Sequence, residues 1–136
     1  MTAVVCVDDQ GGILFNRRRQ SQDRCLQEKL LSLAGDRPLL VSPYTARQFP
    51  PEAQGGLQIC EDCYEQADPQ ALCFAEDSRP DLTLPEPSRV ILFRWNRVYP
   101  ADRYFDLAAL SAWHLETVED FPGHSHEKIT MEVYTR

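Results

Sequence analysis

Apolar and polar positions along the chain change rhythm several times, and each change marks an element. Residues 2–7 read TAVVCV, an unbroken apolar run rich in β-branched side chains, which predicts a strand buried on both faces. Asp8-Asp9-Gln10-Gly11-Gly12 breaks it, and 13–20, which end in three successive arginines, read as a loop. The rhythm then becomes helical. Leu26, Leu30, Leu33 and Ala34 share one face, Ser21 is placed as N-cap with Asp23 in the first turn, and Gly35 closes the helix before Pro38.

Residues 38–42 (PLLVS) predict a second buried strand, 44–49 a short helix, and 57–60 a third strand after a Pro-Pro and Gly-Gly loop. A small helix over 61–67 and a fourth strand over 71–75 follow. The segment 77–87 holds three prolines and reads as an irregular surface connection. Beyond it the pattern is of strands without helices, over 89–98, 113–118 and a last strand ending at Arg136. Strand–helix alternation up to residue 75 predicts a mostly parallel sheet, and the C-terminal strands add antiparallel pairing at one edge. One α/β domain over 1–136 is expected from the length of 136 residues.

Charge narrows the partners. A formal net charge of −7 opposes general binding to nucleic acid or to an anionic membrane surface. The first residues show no signal-peptide pattern and no apolar run approaches a membrane span, so a cytoplasmic protein is expected. The five cysteines, at 6, 25, 60, 63 and 73, then read as reduced thiols. Cys60 and Cys63 have the spacing of half a zinc site, but no second pair stands near them.

The candidate chemistry gathers at the first helix. Arg17, Arg18, Arg19 and Arg24 surround its start, where guanidinium groups and unpaired backbone N–H groups favour a phosphate or carboxylate; a solvated loop is the plainer reading. Asp23 there serves either as a stabilising helix-start residue or as a general acid. His124 and His126 invite a metal-dependent hydrolase or nuclease reading, but a dinuclear site needs more ligands, and both are expected at the surface. In 94–99 arginine and aromatic residues mix, and strand alternation divides them, with Arg94 and Asn96 opposite Trp95 and Arg97.

In their order and spacing, VVCVDDQGGI, the helix beginning near Ser21, RPLLVSPYTARQF, RVILFRWNRVYPADRYFDL and FPGHSHEKITMEVYTR together resemble the dihydrofolate reductase family over almost the whole chain. The resemblance implies a three-layer fold on a mostly parallel central sheet, NADPH as cofactor, and a proton-delivering carboxylate at the first helix, the position of Asp23. The chain departs from the family where phosphates bind. Glu76 and Asp77 stand for its Gly-Gly, Pro43 for its arginine, and NRRRQSQ for its Pro-Trp, leaving Thr45 of that pattern. The resulting expectation is a domain without reductase activity and without a cofactor. It binds a small anionic molecule between Arg17, Arg18, Arg19, Asp23 and Thr45. The alternatives are an NADPH-dependent reductase of a pterin-like substrate and a non-catalytic interaction module. For the latter, a homodimer through exposed aromatics of 94–105 is compatible with the sequence.

Overall fold

The computed structural model describes residues 2–15, 18–19, 23–59, 70–74, 87–96, 98, 103–105, 107–124 and 126–136. The first run is the strand β1 (Thr2–Val7), with every residue buried. It continues through a turn into β2 (Gly12–Phe15), which pairs antiparallel with β3 (Arg18–Arg19). The expectation of a loop over 13–20 is therefore corrected at 13–15 and 18–19, where Arg18 and Arg19 extend a short ribbon; Arg17 lies outside the described residues. Gly11 makes the turn possible, with φ +84° and a backbone O of Phe105 only 2.8 Å from where a Cβ would sit.

Helix α1 (Arg24–Ala34) buries Leu26, Leu30 and Ala34, as the spacing required. Its N-cap is Asp23, not Ser21, which lies outside the described residues; its C-cap is Gly35 at φ +57°. Next come β4 (Leu39–Val41), the short helix α2 (Pro43–Ala46), a 3-10 helix Pro51–Gly56 and β5 (Leu57–Ile59). The strand β6 (Leu72–Phe74) and β7 (Arg89–Arg94) complete the parallel part. The expected helix over 61–67, Cys60, Cys63 and most of 77–87 lie outside the described residues.

A two-residue strand β8 (Arg103–Tyr104) pairs with β2, and a 3-10 helix Leu107–Ala112 precedes β9 (His114–Phe121) and β10 (Ile129–Thr135). This 3-10 helix interrupts a stretch expected to hold strands alone. Strand β7 stops at Arg94 rather than 98, where Asn96 takes a positive φ of 58°.

Among the described residues, seven strands form one sheet in the order β5-β4-β6-β1-β7-β10-β9. Pairing is parallel from β5 to β7 and antiparallel for β10 with β7 and with β9. The expected α/β class and its antiparallel C-terminal edge are thus present. One core lies between the sheet and α1, where Val4, Leu30, Ile91, Phe93, Trp95 and Met131 pack. A second lies on the opposite face, where Val5, Val7, Val90 and Leu92 meet Phe105 and Leu110. Alternation along β1 and β7 divides their side chains between the two. No described helix is long and apolar enough to cross a membrane.

Candidate functional site

The strand order singles out one edge of the sheet. Neighbours β1 and β6 send their chains onward in opposite directions, β1 to β4 and β6 to β7. In an open parallel sheet this reversal leaves a crevice at the carboxyl ends of the strands. The residues following β1, β4 and β7, the start of α1 and the loop entering β10 all lie at that end.

Asp23 is the centre of the arrangement. Its extended backbone (φ −131°, ψ 123°) lets the carboxylate turn back over the helix start. Oδ1 accepts the backbone N–H of Cys25 at 2.9 Å and of Leu26 at 3.4 Å. The same oxygen accepts the N–H of His124 at 2.9 Å, from the loop before β10. Oδ2 lies 3.1 Å from His126 Nδ1, and the two side chains are 0% and 2% exposed. An ionised carboxylate only accepts, so the proton between them belongs on Nδ1.

His126 is held on its other side by Trp95, whose ring stacks on the imidazole at 4.5 Å and 20°. Gly123 lets the loop come this near: a Cβ there would stand 2.9 Å from Asp23 Oδ2 and 2.7 Å from the His126 carbonyl oxygen. The expectation of two surface histidines is therefore half wrong. His124 is exposed, whereas His126 is buried because it closes a bond to a buried carboxylate. Among the described residues, no three His, Cys, Asp or Glu side chains gather as a metal-ligand set.

The other predicted residues reach the same end of the sheet. Arg18 and Arg19 pair with Phe15 and Leu14 in the ribbon that leaves the carboxyl end of β1; Arg17 lies outside the described residues. Thr45 is buried in α2, and its Oγ1 accepts a bond from Ser42 Oγ at 2.9 Å. Ser42 is itself the N-cap, receiving the Thr45 N–H at 3.1 Å. Both hydroxyls are thus spent inside the fold. Pro43 opens α2 at a position where it offers no N–H. The described residues at α2 therefore do not fit a dinucleotide phosphate. Glu76 and Asp77 lie outside the described residues.

One further member of this edge was not picked out by sequence. Asp8 is buried and its Oδ1 takes the N–H groups of Gln10 and Gly12 at 2.8 and 2.7 Å, fixing the turn into the ribbon. Trp95 and Phe105 are buried as well, so these two aromatics of 94–105 offer no exposed surface. The usable signal for His126 was Gly123 within a short loop before a strongly alternating strand. Comparison with protein-family models finds no match, and comparison with curated proteins finds none either.

Proposed function

We propose that the chain is a dihydrofolate reductase-like domain that binds a small anionic molecule at the carboxyl edge of its sheet and does not carry out the reductase reaction. The observation that carries this reading is the opposite direction of the connections that leave the neighbouring parallel strands β1 and β6, with the arginine-bearing ribbon and the start of α1 at the same end. The strand order, with two antiparallel strands closing one side, also supports the resemblance in fold.

Asp23 has a defined part in this reading. Its carboxylate fills the N–H groups at the helix start, so a bound anion is not held there. Counter-charge comes instead from Arg17, Arg18 and Arg19, with Asp23 and His126 fixing the loop that walls the crevice. Asp23 is a positioning residue, and Thr45 supports α2 through Ser42.

The test is calorimetric titration of the protein with a nucleotide, a pterin and a sugar phosphate, each also against Arg18→Ala/Arg19→Ala. Saturable heat that weakens about tenfold or more in the double variant is expected, as for loss of a charge-assisted contact. Absence of heat with every anion, or equal affinity in the variant, overturns the reading. NADPH belongs in the same series, because micromolar binding would favour the reductase instead.

A further inference from the structure

The longest described strand in the protein is also an edge. Strand β9 spans eight residues and pairs on one side with β10 only; among the described residues no strand meets its other side. Edge strands are commonly short, or blunted by charged side chains (lysine above all), proline or bulges, because unpaired N–H and C=O groups template the addition of another strand. Strand β9 contains neither lysine nor proline, and residues 114–120 are all exposed. A single irregularity interrupts it, opposite Val133/Tyr134, and leaves 117–121 regular.

Side chains add selectivity to that edge. Val118 and Leu115 are 55% and 42% exposed, large values for aliphatic residues, and both fall on the face carrying Tyr134 and Glu132. Glu116, Glu119 and Asp120 lie between and beside them. Glu119 meets Lys29 at 2.7 Å and Asp120 meets Lys128 at 3.9 Å, yet both carboxylates remain about half exposed and able to face a second cation. A second copy of this chain would bring another acidic strand and another net charge of −7.

We propose that β9 is a docking edge for an extended segment of another protein in which basic and apolar residues alternate. The segment adds as a further strand. Its backbone takes the outward N–H and C=O groups of β9, its apolar side chains cover Val118 and Leu115 on one face, and its cations meet Glu119 on the other.

The probe is an N-acetylated peptide of about eight residues alternating lysine and valine, the length of an ordinary strand. It is titrated into isotope-labelled protein and followed by amide NMR. Saturable shifts confined to β9 and the adjoining β10 are expected, together with slowed exchange of the outward β9 amides. Val118→Lys, a change at an exposed position, should abolish them while leaving the rest of the spectrum in place. A glutamate–valine peptide should give none. Equal response to both peptides, no response at β9, or a concentration-dependent dimer that Val118→Lys dissociates in sedimentation overturns the proposal; the dimer result would assign the edge to a second copy.

Discussion

Removing the Asp23 carboxylate should cost far more than removing an ordinary helix cap. In Asp23→Ala the cap itself is worth about 1 kcal/mol. The variant also strips the His124 N–H and the His126 ring of their acceptor across a sequence separation of 103 residues for the His126 bond. Bonds to a charged partner are worth about 1.5–3 kcal/mol each, and breaking a buried pair costs about 3–5 kcal/mol in total. Because these contributions share one carboxylate they do not add in full, and a loss of about 4 kcal/mol is the working figure.

With a urea slope of about 2 kcal/mol per molar, that loss moves the midpoint down by about 2 M. Asp23→Asn separates cap from charge. Its amide oxygen caps the helix as well as aspartate does, and its NH2 can donate to His126 Nδ1 once the ring proton moves to Nε2, so its loss should stay near about 1–2 kcal/mol. Urea unfolding followed by circular dichroism measures both. Tryptophan fluorescence gives a second probe, because Trp95 stacks on His126 and should change its emission in both variants. A loss below about 1 kcal/mol for Asp23→Ala, the size of an exposed cap alone, would refute the account of this site.

Gly123→Ala should destabilise by about 1–3 kcal/mol, because its Cβ would press on Asp23 Oδ2 and the His126 carbonyl; Gly55→Ala, with nothing within 4 Å, is the matched control. Differential scanning calorimetry of the two variants checks the contrast. The Tyr134 phenol lies above its usual range, first because of burial and then because it donates to Glu132 Oε1 at 2.9 Å. The neutral phenol is the favoured form in the fold. That stabilisation is whole below the unfolded value near 10 and is lost as pH rises through the raised folded value. Ultraviolet titration should therefore show a late tyrosine component, which Tyr134→Phe removes and Glu132→Gln brings earlier.

Local rhythm carried most of the fold. The uniform burial of β1, the spacing of Leu26, Leu30 and Ala34, and the alternation of Ile129, Met131 and Val133 are each visible within a single element. Positions that depend on distant partners were not. Three arginines in succession read as loop, since nothing nearby shows that Arg18 and Arg19 face Phe15 and Leu14 across a ribbon. His126 reads as a surface histidine from its neighbours Ser125 and Glu127. Only the fold brings it to Asp23. Asp23 was recognisable as a helix-start residue, but its second set of bonds was not, because those donors arrive from the other end of the chain.

The most direct test of the proposed function is an amide NMR titration of the protein with the best anion from the calorimetric series, mapped residue by residue. The account predicts saturable shifts at Gly12, Arg18, Arg19, Ser42, Gly123 and His124, the backbone that frames the carboxyl edge. Shifts elsewhere with this edge silent, or no saturable shift at all, would contradict it.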